Sequence, residues 1–426
     1  MGDRMTRLKS RNMKYINCLL IMAATTVAAC SSKPEEPATV KESLPEWQEG
    51  YMDIHHISTG RGDAILVIMP DGTSWLQDAG DCGTSWYSTG QGCALLPNST
   101  RSAGEWIAEY VRHFTAGTPS AGELDYAWLT HFHGDHIGDP ETALKGDRGY
   151  RLTGITMVGD MVKIHRLVDR AYPGYDIPTE TLCRKEFPLY NEYRLFTDWQ
   201  MKNNGMEMEG FEVGSDDQFR MVHNPSAYGN FSVRNLCGNG YVWTGEGTSS
   251  EKMYSADPST LDENMYSCGV VIQYGKFRYW NCGDIPGTNW KDYSSQERTF
   301  ETPVSKVCGP VTVMKLDHHG TFDSTSEECL KNLQPKEMIA ISSHVLQPYT
   351  ESVRRMMDTS IYPGERGLYV TTDCSRDKLG DLFSAFKPAG HIVVRVYGNG
   401  DSYQMYVLDA KTGTYDVIYK SGIKTL

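Results

Sequence analysis

Short apolar blocks recur along most of the chain, punctuated by turn residues. YMDIHHIS (51–58) and DAILVIMP (63–70) read as two strands, and the turn at Pro70-Asp71-Gly72 leads into a third, TSWLQDAG (73–80). In SAGEWIAEYVRHF, Trp106, Ile107, Tyr110, Val111 and Phe114 fall at helical spacing, with Ser102 placed to cap the helix. LDYAWLT is a short strand that runs directly into THFHGDHIGD. Residues 141–210 show no clean period and carry many Tyr and Arg, which predicts an inserted, partly helical lid. FEVGSDDQFRMVHNP reads as a strand pair and 235–247 as a loop rich in Gly and Asn. Strands resume at CGVVIQY, KFRYWNCGD, VTVMKLDHHG and EMIAISSH, and end in the hairpin HIVVRVYG/SYQMYVLD. Helices recurring between strand groups predict an α/β fold with two sheets packed face to face and helices outside.

The N-terminal pattern differs. Lys14 leads into INCLLIMAATTVAA, a run too short to span a bilayer comfortably, which stops at Cys30 and has the form of a secretory segment. VAAC (27–30) resembles the lipobox of bacterial lipoproteins, which implies a signal peptide over residues 1–29, lipidation of Cys30, and a lipid-anchored place in the cell envelope. The Ser, Pro, Glu and Lys that follow predict a disordered tether over 30–49, and its Ser-Lys-acidic start resembles the surface-export signal of outer-membrane lipoproteins. A single folded domain is then expected over 50–426, with the lid inserted around 141–210.

The formal charge is −13, and cleavage after residue 29 would remove five basic residues and one acid, so the exported body is more acidic still. Such a surface repels polyanions and does not favour long nucleic acid as a partner. Eleven cysteines fit an oxidising compartment. Cys82 and Cys93 bracket a Gly/Ser-rich stretch and are the candidate bridge. Cys268 and Cys282 flank a hairpin turning at Gly275-Lys276; in that register Cys282 faces Gly269, so no bond between them is expected.

The densest chemistry is His131, His133, Asp135 and His136 directly after a strand. Alternating His131 and His133 can direct two imidazoles at one metal ion, and Asp135 and His136 on the following turn can reach a second. HFHGDH is the signature HxHxDH of the metallo-β-lactamase superfamily, and the chain resembles that superfamily; the resemblance implies a four-layer αββα sandwich and two divalent metal ions, zinc in most members. GRGDAILVIMPDGTSWLQDAG, NCGDIPG and KLDHHGTFDSTS further resemble, in order, the hydrolase domain of ComEC competence proteins and the related phosphorylcholine esterases. The resemblance implies Asp284 as a carboxylate bridging the metals and one of His318 and His319 as a ligand of the second metal. The other histidine would face substrate; His319 is preferred as ligand because it lies nearer Gly320, and His318 and Asp135 are the candidate catalytic residues. His223, ending a predicted strand, is preferred over His165 as third ligand of the first metal. Asp78 and Asp81 are expected to hold the far nitrogens of ligand histidines, and His55, His56, His113 and His391 are expected to be structural. His344 is the candidate substrate-side histidine, with Tyr172 and Tyr175 as weaker aromatic contacts.

The expected activity is hydrolysis of a small-molecule or cell-envelope phosphoester, phosphodiesters first, by hydroxide generated at the metal ions. Hydrolysis of an acyl or lactam group by the same hydroxide, and a non-catalytic binding lipoprotein, are the alternatives.

Overall fold

The computed structural model describes residues 42–83, 91–175, 190–253, 262–287 and 299–426. The segment expected to be a signal peptide and the expected lipidation position Cys30 lie outside them.

The first half of the chain contributes β1 (Met52–His56), β2 (Ile65–Ile68), β3 (Ser74–Gln77), β4 (Leu124–Trp128), the small hairpin β5 (Leu144–Lys145) and β6 (Arg151–Leu152), β7 (Ile164–Asp169) and β8 (Glu207–Gly210). The middle contributes β9 (Phe231–Gly238), β10 (Tyr241–Trp243), β11 (Ser250–Lys252), β12 (Gly269–Tyr274), β13 (Phe277–Cys282), β14 (Val313–Lys315), β15 (Glu337–Ala340) and β16 (Gly367–Val370). The last strands are β17 (His391–Tyr397), β18 (Ser402–Leu408), β19 (Val417–Lys420) and β20 (Lys424–Thr425). Helices α1 (Ala103–Thr115), α2 (Gly134–Ile137), α3 (Gly154–Met161), α4 (Tyr190–Asn204), α5 (Glu301–Cys308), α6 (Glu327–Leu333) and α7 (Thr350–Met357) fall between them.

Among the described residues, one sheet runs β19-β18-β17-β1-β2-β3-β4-β7-β8, with β20 paired to β18, and the second runs β11-β10-β9-β12-β13-β14-β15-β16. Their facing sides share one core in which Ile54, Val67, Trp75 and Trp128 of the first sheet meet Val270, Ile272, Val313 and Ile339 of the second. On the outer face of the first sheet Leu66, Leu76 and Leu167 pack against Ile107 and Val111 of α1, Val158 of α3 and Phe196 of α4. On the outer face of the second, Trp280, Met314 and Met338 pack against Val304 of α5, Leu330 of α6 and Val353 of α7. Three apolar layers thus hold four structural layers together, an αββα sandwich. The central strands β1, β2, β3, β14 and β15 are buried along their whole length because both faces are covered.

Local signals explain the ends of elements. Ser102 accepts from the Glu105 amide while Glu105 returns a bond to the Ser102 amide, a capping box that starts α1. The β12–β13 hairpin pairs Gly269 with Cys282, as the turn at Gly275-Lys276 predicts, and neither Cys268 nor Cys282 is in a disulfide.

Four sequence readings are corrected. The segment 141–210 is not an inserted lid: β7 and β8 extend the first sheet in parallel beyond β4, and α3 and α4 cover its outer face. Its mixed pattern reflects an edge strand, β8, with half-exposed positions beside a buried neighbour. The strand pair expected at 211–225 lies later, as β9 and β10, turning at Asn239-Gly240 with φ of 54° and 75°, the left-handed pair a two-residue hairpin turn requires. Phe219 of the earlier segment is buried all the same, stacked on Trp75 at 4.5 Å. The tether does not extend to residue 49, since the Val417 amide bonds to the Glu42 carbonyl, Lys420 pairs with Glu42, and Leu44 packs beside Val393 and Leu408. The disulfide joins Cys93 to Cys374 rather than Cys82; the Cys93 amide, bonded to the Ser343 carbonyl, brings it to that part of the fold.

Candidate metal centre

The chemistry gathers at the carboxyl ends of β3, β4, β13 and β14. The turn after β4 is pressed against the chain just before β2 and just after β3: Asp63 N donates to Asp135 O (2.8 Å) and Ala79 N to His136 O (2.7 Å). A Cβ on Gly62 or Gly80 would fall 1.9 or 2.2 Å from the Asp135 carbonyl, so only glycine permits this approach. On the far side, Glu263 accepts the Phe132 amide at 3.0 Å and holds Arg170 through two bonds of 2.7 Å, with both side chains fully buried.

Asp135, His136, Asp284 and His319 converge, with one ligand atom of each within 4.8 Å of all the others and all four side chains buried. Asp284 Oδ2 lies 3.2 Å from both His136 Nε2 and His319 Nε2, and Asp135 Oδ2 lies 3.2 Å from His319 Nε2. These approaches are close without being aligned hydrogen bonds: His136 Nε2, His319 Nε2 and Asp284 Oδ1 are buried polar atoms with no hydrogen-bond partner. Such atoms are costly unless something else satisfies them. The far nitrogens, by contrast, are held. His136 Nδ1 bonds to Asp78 (2.9 Å) and His319 Nδ1 lies 3.1 Å from Asp63 and from the Ile341 carbonyl, which turns each Nε2 inward. Lys315 balances Asp63 at 2.6 Å and lies 4.0 Å from Asp284.

The electrostatics call for added cations. Burial opposes protonation of His136 and His319, yet the Asp284 and Asp78 carboxylates around the first, and Asp284 and Asp63 around the second, raise both pKa values well above the ordinary histidine range. The same positive charge can be supplied by metal ions. Two imidazole nitrogens and two carboxylates form a donor set suited to a borderline divalent ion such as zinc, so the residues present fit a metal.

His131 and His133 are drawn in beside this cluster, with their rings 4.8 Å apart and the His131 ring 4.0 Å from that of His136. Burial pushes the His131 pKa down, leaving a neutral ring. His318 and His319 diverge through a left-handed turn (φ 44° and 55°) rather than by alternation along a strand. His318 Nδ1 bonds to Asp323 at 2.7 Å, while Nε2 lies 3.3 Å from the Asn264 amide and 3.9 Å from Asp284. Beside the cluster is a cavity of about 320 Å³, walled by Asn264, His318, Phe322, His344, Leu346 and Tyr349 in addition to ligand-type side chains.

Three expectations are not met. His223 is not brought to the cluster; it pairs with Asp125 at 3.1 Å, and Asp125 stands near the start of β4, whose other end carries His131. Tyr172 and Tyr175 belong to a packing unit around Asp169, which accepts the Tyr172 amide (2.7 Å) and the Tyr175 hydroxyl (2.6 Å). Asp81 holds backbone amides of Gly104 and Gly154, not a ligand histidine. His165 is an exposed partner of Glu123. Conversely, Asp63 and Lys315 were overlooked as site residues although both lie inside the motif strings GRGD and KLDHHG. Asp323, Asn264, Glu263 and Arg170 carry no local signal.

No family model matches the sequence, and no curated protein matches it. Among solved structures, the chain is similar to a metallo-β-lactamase from Cronobacter sakazakii, an HARLDQ-motif mutant, at 10% identity over 81% of this chain and 94% of that one, with a TM-score of 0.30.

Proposed function

We propose that the protein is a hydrolase dependent on two divalent metal ions, most simply zinc, and that its substrate is a phosphoester, phosphodiesters first. The observation that carries this reading is the buried group Asp135, His136, Asp284 and His319, whose inward nitrogens have no hydrogen-bond partner among the described residues. Bound divalent ions would supply Lewis acidity and lower the pKa of water at the site. Asp78 and Asp63 hold His136 and His319 in the orientation that presents Nε2, and Lys315 keeps Asp63 charged without adding net negative charge. Asp284, placed between the two histidines, offsets repulsion between cations. On the substrate side, burial lowers the proton affinity of His318, but the Asp323 carboxylate outweighs it and brings the pKa to about 9. At neutral pH His318 is therefore protonated, with Nδ1 held by Asp323 and the ring lining the cavity where a leaving oxygen would need a proton. His344, kept neutral by burial, forms another part of the cavity wall.

The test is elemental analysis of untagged protein prepared without chelator, followed by turnover of bis(p-nitrophenyl) phosphate beside a chromogenic lactam. Close to two ions per chain and turnover of the phosphodiester are expected. Absence of metal would overturn the reading, and turnover of the lactam alone would move the substrate to the acyl class.

The same reading includes a lipid anchor on Cys30 that holds the protein on the cell envelope, supported by VAAC after a short apolar run. Labelled palmitate should enter the wild type and not Cys30→Ser; equal labelling would remove the anchor from the proposal.

A further inference from the structure

The cavity beside the metal cluster is lined by two unlike kinds of side chain. His133, Asp135, Asp284 and His318 are polar and belong to the cluster or its edge, whereas Phe322, Leu346 and Tyr349 present apolar surface. The Phe322 and Tyr349 rings stand edge to face at 6.3 Å, and both are only partly buried. Leu346 is 38% exposed. A single exposed leucine is ordinary on a protein surface. This one differs in being fixed by the turn that carries it.

Gln347 is buried, and its Oε1 accepts the amides of Ser343 (2.8 Å) and His344 (2.9 Å) and the Ser343 hydroxyl (3.1 Å), which closes residues 343–347 into one turn. Within it the Leu346 amide donates to His344 Nδ1 at 3.2 Å. Residues 91–93 pair with this turn through Cys93 N to Ser343 O (2.9 Å) and Val345 N to Gln91 O (3.0 Å), and the disulfide to Cys374 anchors them. Further along, Tyr349 N donates to Gly320 O at 2.8 Å. A Cβ on Gly320 would fall 2.9 Å from that of Pro348, so the turn lies directly against the one that carries His318. Ordering an apolar side chain in a wall that water reaches costs entropy and gains little by itself, and the return comes when a ligand covers it.

We propose that Phe322, Leu346 and Tyr349 form a subsite for an apolar ester arm, so that the substrate is a phosphodiester with at least one arm of about the bulk of an aromatic ring. Leu346 and Phe322 are then specificity-determining residues. The inference rests on the phosphodiester reading of the metal centre and narrows it. An apolar cavity of about 150 Å³ takes one benzene ring, so 320 Å³ has room for a ring together with a phosphate group. A diester with two small arms leaves the Leu346 and Phe322 surface wet.

The test uses the full chain loaded with zinc and two probes that share one phosphate monoanion and differ only in their arms, diphenyl phosphate and dimethyl phosphate. Both are titrated by calorimetry against wild type and Leu346→Ser, and turnover of bis(p-nitrophenyl) phosphate is measured on the same preparations. Leu346 is exposed and is not a ligand-type residue, so the variant should fold and keep its metal content. Wild type should bind diphenyl phosphate about tenfold or more tightly than dimethyl phosphate, from the apolar area covered. Leu346→Ser should weaken diphenyl phosphate by about three- to tenfold without weakening dimethyl phosphate, and Phe322→Ala should act in the same direction. Equal affinity for the two probes, no saturable binding of diphenyl phosphate, or a Leu346→Ser variant that keeps full affinity or weakens both probes alike would overturn the subsite. Turnover without the diphenyl preference removes the subsite and keeps the phosphodiesterase reading. The preference without turnover keeps the subsite and removes that reading.

Discussion

Two kinds of buried charge lie in this sandwich, and they are built differently. Asp53 on β1 and Arg395 on β17 are nearly inaccessible, and the guanidinium takes both carboxylate oxygens, at 2.9 and 2.6 Å. Burial alone would raise the Asp53 pKa, but Arg395 outweighs it and lowers it. That pair is complete within the protein. At the ends of β3, β4, β13 and β14 the carboxylates of Asp63, Asp78, Asp135 and Asp284 converge around Lys315, a permanent cation, and among the described residues His136 Nε2, His319 Nε2 and Asp284 Oδ1 are buried without a hydrogen-bond partner. Burial of charge is common to both. The first is balanced by a permanent cation, whereas the second leans on the titratable His136 and His319, whose positive charge a metal ion can replace.

The comparison can be broken most sharply at Asp284. Asp284→Asn keeps the shape but removes a charge from the open cluster, so metal content should fall by at least one ion and turnover should nearly vanish; unchanged metal and rate would leave the cluster a structural feature like the pair at Asp53. His318→Ala should separate chemistry from binding at the same end. Metal content should persist while the phosphodiester rate falls by about 10²–10⁴-fold, as for loss of a general acid, whereas His319→Ala should lose metal. At the closed pair the effect should move from activity to stability. Arg395→Met strands Asp53, and a loss of about 3–5 kcal/mol by denaturant titration is expected with metal and rate retained. The smallest effect is acid sensitivity away from either cluster. Burial holds the His391 pKa down at about 3, whereas the unfolded chain takes up that proton near 6.5. The contribution is therefore present above pH 6.5 and is lost progressively as pH falls toward 3. His391→Asn, which can still accept from the Ser58 amide, should flatten the fall in denaturation midpoint between pH 7 and 5; an unchanged slope would count against it.

The sequence made the open cluster more legible than the closed pair. HFHGDH puts its histidines and Asp135 within a few residues of one another after a strand, so local spacing exposed Asp135 and His136, while Asp284 and His319 were reached through the resemblance of NCGD and DHHG. Asp53 and Arg395 stand 342 residues apart, and nothing local to either announces the other. The same limit hid Glu263 and Arg170, which hold the ligand turn from elements far along the chain. His223 misled because a histidine ending an apolar stretch looks the same whether it faces a metal or, as here, Asp125. Among the strands, those with alternating or continuous apolar blocks were placed nearly in register, while β7 and β8 were missed because their surroundings mix Tyr and Arg without period. The hairpin β9–β10 was hidden by its own turn residues, which read as loop.

The pairing of β1 with β17 also constrains the order of events in folding. His56 and Ile392 are joined across 336 residues, and the disulfide closes a separation of 281. Strands made first must therefore wait for strands made last, with the edge of β1 and its apolar faces exposed in the interval. Long-range pairing of this kind slows folding and prolongs exposure to aggregation. A nascent chain that has reached only β16 holds both metal-ligand turns yet cannot close the sheet that supports the first of them, so assembly of the centre is tied to completion of the chain.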